Sequence, residues 1–320
     1  GTQTGTFTPT FTANGGAIAS ATAGRNLANA FSLGGNLSLA GTNAFSLGGL
    51  LSGTGGLTVN NTGIVTLGGA NLFSGGVNLN AGGLVLGNAG ALGSGNLTVG
   101  GSASLDTTAG FTLGNNLVIN GGGSLNLLGS NALSLNGSIS GAGNLTKSGA
   151  GTLTLNGANA LTGSFNLAGG ALALGAGGSL SPTGAITVGV GTTLDLSAAA
   201  NQTIGSLAGL GGSVNLGSHT LTLAGLGDTS YSGTFAAGTG GLVKLGTGVQ
   251  TLSGVNNLSG GVALNGGGLL LGNAAALGSG ALSVGGNVTL DGTTGALALA
   301  NAINLGSGAS LNLLGNQALT

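Results

Sequence analysis

Four aspartates and one histidine are the residues of this chain best suited to acid–base chemistry: Asp106, Asp195, Asp228, Asp291 and His219. Glycoside hydrolysis, for example, needs two carboxyl groups about 5 to 10 Å apart. Asp106 and Asp291 instead occupy equivalent places in two widely separated copies of one sequence, and each follows a Leu and precedes a turn. We therefore predict that they hydrogen-bond local backbone, and that His219 is an ordinary surface strand residue.

Metal and cofactor sites are not indicated by any motif. The chain has no cysteine, so thiol ligands and disulfides are excluded. Calcium-binding nonapeptide repeats need an Asp that recurs after Gly-rich triplets, and a phosphate-binding loop needs a Gly-Lys-Ser/Thr ending; neither pattern is present. We predict no catalytic residue, no metal site and no cofactor, and hence no enzyme.

Basic residues are almost as rare as acidic ones. Lys147 and Lys244 lie at equivalent repeat positions, and Val59 stands there in another copy, so we predict that both lysines are solvated strand ends. Arg25 matches Phe111 in a related segment, which indicates a tolerant outer position. With three basic residues and a net charge of −1, the chain cannot neutralise the phosphates of a nucleic acid.

The composition also narrows the fold class. Gly contributes 76 of 320 residues, but Pro occurs only twice, which excludes collagen. A chain that is 41% hydrophobic and 2% charged does not match the composition of disordered proteins. The apolar runs are too short for a membrane helix, so we expect no membrane insertion by this segment. Helices are improbable because Gly and Asn dominate and Glu is absent.

Three segments of the chain are imperfect copies of one another: 55–87, 143–175 and 240–272. Within each copy, short runs with apolar residues at every second position are separated by turns of Gly, Asn and Ala. This alternation is typical of β-strands with one buried and one solvated face. Long-range repetition of such strands is the signature of a solenoid, in which each coil stacks on the next.

We therefore predict an all-β fold: a parallel β-helix, or β-solenoid, that forms an elongated rod. About 15 coils stacked at about 4.8 Å would give a rod on the order of 70 Å long. The expected organisation is one continuous solenoid over 13–320, preceded by an extended strand over 1–12 with Thr at alternate positions. That strand could cap the solenoid or join neighbouring subunits. A β-sandwich or an up-and-down barrel is the alternative fold.

The segment 141–175 closely resembles the autotransporter-associated β-strand repeat, also called the passenger-associated transport repeat. The shared core is L-T-K-x-G-x-G-T-L-T-L-x-G-x-N, which this chain carries from Leu145 to Asn159. The copy at 240–272 keeps Lys244, while the copy at 55–87 has Val59 instead. The resemblance implies a right-handed parallel β-helix in the exported passenger of a bacterial autotransporter or a related surface protein.

Taken together, these features favour a structural role outside the cell. We expect an extracellular or cell-surface β-helical rod of a surface or matrix fibre, with self-association end to end into a filament. Few charges are present to keep such rods apart. The alternative is the stalk of an autotransporter-type adhesin with cell-surface or glycan contacts. A polysaccharide-acting enzyme on a β-helix is a third hypothesis, and it would need clustered acids.

Overall fold

The computed structural model describes residues 10–293, 295–315 and 318–320. Forty short β-strands and no helix occur in these ranges. Nothing helical in this part of the chain therefore has the length and hydrophobicity needed to cross a membrane. The chain divides into two compact units, residues 1–145 and residues 146–320, and strand β20 (Asn144–Lys147) contains the boundary.

The strands of the first unit are three to six residues long, apart from one of two residues. They are β1 (Phe11–Ala13), β2 (Ala17–Ala19), β3 (Arg25–Leu27), β4 (Phe31–Leu33), β5 (Leu37–Ala40), β6 (Phe45–Leu47), β7 (Leu51–Gly53), β8 (Leu57–Val59), β9 (Ile64–Leu67), β10 (Leu72–Phe73), β11 (Val77–Leu79), β12 (Gly82–Leu86), β13 (Leu97–Val99), β14 (Ser102–Thr107), β15 (Phe111–Leu113), β16 (Leu117–Ile119), β17 (Ser124–Leu127), β18 (Leu133–Leu135) and β19 (Ile139–Gly141).

Within the first unit these strands form parallel sheets. Over most of this unit, each strand pairs with the strand three places further along the chain. One sheet has the order β1-β4-β7-β10, a second β2-β5-β8-β11-β13-β16-β19, and a third β3-β6-β9-β12-β14-β17. Strands β15 and β18 form a further parallel pair. Each coil thus contributes one strand to each sheet, which is the arrangement of a β-solenoid.

The second unit contains the remaining strands. They are β21 (Thr152–Leu155), β22 (Ala160–Leu161), β23 (Ser164–Leu167), β24 (Ala171–Leu174), β25 (Ala185–Val188), β26 (Thr193–Asp195), β27 (Gln202–Ile204), β28 (Ser206–Ala208), β29 (Ser213–Asn215), β30 (Thr220–Leu223), β31 (Thr229–Tyr231), β32 (Thr234–Phe235), β33 (Gly241–Lys244), β34 (Val249–Leu252), β35 (Val262–Leu264), β36 (Gly268–Leu271), β37 (Leu282–Val284), β38 (Asn287–Gly292), β39 (Ile303–Leu305) and β40 (Ser310–Leu313).

Parallel stacking also organises the second unit. Its sheets have the orders β21-β24-β26-β29-β32, β27-β30-β33-β35-β37-β39 and β31-β34-β36-β38-β40, and β23, β25 and β28 are neighbours in another. Coil length ranges from 19 residues, as between Thr152 and Ala171, to 23, as between Asn287 and Ser310. The two units contain about 15 turns in all. The predicted all-β solenoid fold is confirmed.

The hydrophobic core follows directly from the alternation in the sequence. In β5, Leu37 and Leu39 are buried, while Ser38 between them is on the outer surface. Because successive coils pair in register, inward residues form continuous columns. One such column in the first unit contains Leu37, Leu57, Val77, Leu97, Leu117 and Ile139.

The repeat copies do not stack on one another. Each copy spans more than one coil and stacks on itself: in the first copy β8 pairs with β11 and β9 with β12. In the second unit, β21 and β34 are equivalent parts of two copies but belong to different sheets. Neighbouring coils are therefore different parts of one copy and not copies of each other.

Part of the strand expected over 1–12 falls on residues 1–9, which lie outside the described residues. Phe11 and Thr12 belong to β1, which continues to Ala13 and pairs in parallel with β4. The Phe11 ring stacks on Phe31 with a centroid distance of 5.3 Å. Phe11 and Thr12 therefore form part of the first described coil.

Close backbone approach explains one group of glycines. Gly141 has φ +109°, and a Cβ atom there would lie 2.0 Å from the carbonyl oxygen of Ile119. Gly53, at the equivalent repeat position, has φ +108° and the same conflict with Leu33. The backbone conformation and the space at these two turns both require glycine.

We predict that Gly141→Ala lowers the free energy of unfolding by more than about 1 kcal/mol, because Ala at positive φ is strained and this one also meets backbone. Urea unfolding followed by circular dichroism measures the change. Gly114→Ala is the matched control, since no atom lies within 4 Å of its added Cβ. Equal effects of the two substitutions would contradict the interpretation.

Candidate functional site

The four aspartates hydrogen-bond main-chain N–H groups close to them. Asp106 accepts bonds from the N–H of Thr107 (2.9 Å) and from the N–H and hydroxyl of Ser130 (3.2 and 2.7 Å). Asp291, in the equivalent repeat position, accepts from the N–H of Gly292 (2.9 Å). Each carboxylate thus accepts the main-chain N–H of the next residue, as predicted, but both aspartates lie at strand ends and Asp106 also binds the following coil.

The other two aspartates have similar partners. Asp195 accepts the N–H and the hydroxyl of Ser197 (3.0 and 2.6 Å) and the side-chain amide of Asn215 (3.0 Å) in the next coil. Asp228 is exposed and accepts the N–H of Val249 (2.8 Å). In the described part of the chain, no three His, Cys, Asp or Glu side chains come together to hold a metal.

One cavity in the second unit does bring two carboxylates onto the same surface. Asp228 and Asp291 line a space of about 320 Å³ together with Thr251, Thr289 and Leu270. The sequence did not predict this grouping. Asp228 precedes β31 and Asp291 lies in β38, three strands along the sheet, so they are separated by about 14 Å along the stacking direction. That exceeds the separation at which two carboxyl groups cooperate in glycoside hydrolysis.

The prediction that Lys147 and Lys244 are solvated strand ends is wrong. Their side chains are only 1% and 3% exposed. Lys147 lies on the same inward face of β20 as Leu145, and its ammonium donates hydrogen bonds to the carbonyl oxygens of Gly149 and Gly169, the latter at 3.3 Å. The Lys244 ammonium likewise donates to a nearby carbonyl oxygen. The period-two alternation, read strictly, would have placed both lysines inside.

Burial changes the acid–base behaviour of these lysines. Desolvation lowers the pKa of Lys147 below its ordinary value of 10.5. Burial also lowers the pKa of Lys244, and the nearby carboxylate of Asp228 partly opposes that shift. Both amines are nevertheless enclosed by backbone, so neither is placed to meet a substrate.

Arg25 and His219 are the remaining candidate residues from the sequence. Arg25 is exposed and donates from Nε to the hydroxyl of Thr22 (3.0 Å). This agrees with the predicted outer position, although its register partner Phe45 in the next coil is buried. His219 is half-buried at the turn before β30, where its N–H donates to the carbonyl oxygen of Leu216 (2.9 Å).

Buried amides are a structural feature that the sequence analysis did not single out. Asn71 accepts the N–H of Leu51 (2.9 Å) from the preceding coil and donates to the carbonyl oxygen of Ala91 (2.7 Å) in the following coil. Asn256, at the equivalent repeat position, makes the same two kinds of bond. These side chains replace strand pairing where a sheet is interrupted. The recurrence of Asn at one repeat position is the feature of the sequence that could have identified them.

The only tyrosine of the chain is a built-in probe of the core. Tyr231 is fully buried, and its hydroxyl oxygen lies 3.2 Å from the carbonyl oxygens of both Gly212 and Thr234, which share its single proton as acceptors. Its ring meets that of Phe235 edge to face at 5.7 Å. Burial raises the pKa of the Tyr231 hydroxyl well above its ordinary value of 10.0.

The fold and these side chains define a class of protein: a β-solenoid repeat protein whose few charged groups stabilise turns and corners. The profile of the Passenger-associated-transport-repeat family matches residues 57–86, 145–174 and 242–271. The chain therefore carries three repeats of the kind found in autotransporter-associated β-helical proteins. Searches of curated proteins and of solved structures found no match.

We predict that the free energy of unfolding rises with pH from the lowered pKa of folded Lys147 towards 10.5. In that interval the unfolded chain binds more protons than the folded chain, so raising the pH favours folding. Lys147→Met is expected to reduce this slope. Urea unfolding between about pH 7 and pH 9.5 measures it, and Arg25→Met is the control that removes an exposed cation. An unchanged slope in Lys147→Met would count against the buried amine.

We predict the opposite trend for Tyr231 at higher pH. Its stabilising contribution is fully present below 10.0, the unfolded value, and is lost as the pH rises towards the higher folded value. Absorbance of the tyrosinate ion should remain absent above pH 10 until the second unit unfolds. Titration of the folded chain with an ordinary pKa would show that Tyr231 is solvated.

Proposed function

We propose that this chain is an extracellular structural segment of an autotransporter-type surface protein, a spacer whose length is set by the number of coils. The main support is the parallel pairing of successive coils in register, because stacking can be extended without changing the chemistry of any one coil. The family match supports export as a passenger and hence a location at the cell surface or outside the cell.

The use of polar side chains in the solenoid agrees with this role. Asp106 and Asp195 hydrogen-bond residues of their own or the next coil. The buried lysines and asparagines bind backbone groups at corners and sheet interruptions. In the described residues, the charged side chains thus have evident structural uses, which favours a scaffold over an enzyme. End-to-end association into a filament stays a prediction from the sequence.

A coil-deletion variant tests the spacer function. Residues 37–116 comprise four coils, and Leu37 and Leu117 lie in the same inward column, so removing them joins equivalent positions. We predict that the variant folds and that the stack of coils in the first unit shortens by about 19 Å, which small-angle X-ray scattering should record as a smaller maximum dimension. Deleting half a coil should instead unfold it. A shortened variant that fails to fold would contradict the modular spacer.

An adhesin stalk is the second candidate, and one observation favours it. Several aliphatic side chains of the second unit are strongly exposed at turns: Val190 (75%), Leu210 (86%), Leu226 (77%) and Val255 (56%). Exposed apolar groups of this size can mark a binding surface. Saturable binding of the chain to cells or glycans, lost when these residues are changed to Thr, would support the adhesin. Binding that is absent or non-saturable would support the spacer.

A further inference from the structure

Repetitive stacking creates a pairing problem in the second unit. The inward residues of successive coils along one column are Leu153, Leu172, Leu194 and Val214. A strand that paired one coil too far along would still bury an aliphatic residue against another. Hydrophobic packing alone therefore discriminates poorly between the native pairing and one that skips a coil.

Lys147 is an exception to this interchangeability. Its ammonium binds Gly149 in its own turn and Gly169 in the following coil. Its carbonyl oxygen accepts the N–H groups of Ala168 (2.8 Å) and Gly169 (3.0 Å) from that same following turn. Main chain and side chain of Lys147 thus both identify one particular turn.

The corresponding turn one coil further on offers a different environment. Leu167 pairs with Val188, so the residue that corresponds to Gly169 there is Val190. The neighbouring carbonyl oxygen, that of Gly189, already accepts the N–H and the hydroxyl of Thr192 at 3.3 and 2.8 Å. A lysine paired with this turn would meet the branched Val190 in place of Gly169, beside a carbonyl oxygen that already has two donors, which is a less favourable environment for a buried ammonium.

Lysine is not required at this position merely to fill the core. Val59 stands at the equivalent place in the first copy and is completely buried. There the amide of Asn61 donates to the carbonyl oxygens of Ala40 and Asn43, each at 3.0 Å. A buried cation costs desolvation energy that valine avoids, so its presence calls for another explanation.

We propose that Lys147 is a register lock, a buried side chain whose hydrogen bond to the following coil forms only when its coil is stacked on the correct neighbour. It contributes specificity of pairing more than stability. Lys244 shares part of this arrangement in the third copy: its ammonium binds Gly246 in its own turn, and its carbonyl oxygen accepts the N–H groups of Asn265 (2.8 Å) and Gly266 (3.2 Å) in the following coil. The proposal concerns folding and stands independently of the proposed spacer function.

Disulfide cross-linking can report the register, because the chain has no cysteine of its own. Thr152 pairs with Ala171 in the native register, and Ala171 pairs with Thr193 one coil further on. The pair Thr152→Cys/Ala171→Cys therefore reports native stacking. The pair Thr152→Cys/Thr193→Cys reports a skipped coil, because two coils separate those residues by about 9.6 Å, too far for a native disulfide.

Each cysteine pair is combined with Lys147→Met, refolded from urea and oxidised. We expect the skipped-coil cross-link to increase about fivefold or more over the Lys147 parent, which corresponds to about 1 kcal/mol of lost discrimination. Leu153→Met is the matched control, a buried change that removes no hydrogen-bond donor, and it should leave the pattern of the parent. Lys147→Gln, which keeps a donor, should restore part of the native preference.

Two results would overturn the proposal. The first is a Lys147→Met chain that cross-links as the parent does. The second is a Lys147→Met chain without folded structure by circular dichroism, since the lysine would then be needed for stability itself.

Discussion

Backbone hydrogen bonding between successive coils is the constraint on which the rest of the structure depends. Parallel pairing leaves each coil's main-chain groups to be satisfied by the coils on either side. It therefore fixes the coil length within a few residues and forces inward residues into columns. Leu57 is buried because Leu37 and Val77 lie beside it in register. The same pairing requires glycine where two turns approach closely, as at Gly141.

Polar groups inside the solenoid are explained by the same constraint. Where the sheets are interrupted or turn a corner, carbonyl and N–H groups lose their strand partners and need others. Asn71, Asn256 and Lys147 supply them from side chains. An unpaired buried group would cost about 1 to 3 kcal/mol, so even a desolvated ammonium is tolerable when it binds carbonyl oxygens. The charged residues of this chain therefore serve mainly to stabilise its fold.

A chain with these properties is suited to a structural task. In the proposed spacer role, the chemical similarity of the coils would let length change by whole coils. Repetition has a disadvantage, because similar coils can pair wrongly. A buried polar residue such as Lys147, whose bond to the following coil depends on register, offsets that disadvantage in our proposal. The two carboxylates that share a cavity, Asp228 and Asp291, do not alter this interpretation.

The sequence by itself determined the class of fold. Alternation of period two, frequent Gly and Asn turns and long-range repetition are local and compositional, so they predict stacked strands without knowledge of contacts. Only the tertiary structure decided which coils pair, because register depends on groups distant in sequence. It placed Lys147 beside Gly169, put equivalent strands β21 and β34 in different sheets, and brought Asp228 into one cavity with Asp291. Which strands pair depends on the length of each coil, and no single segment of the sequence encodes that length. For this reason the sequence predicted the fold class but not the register.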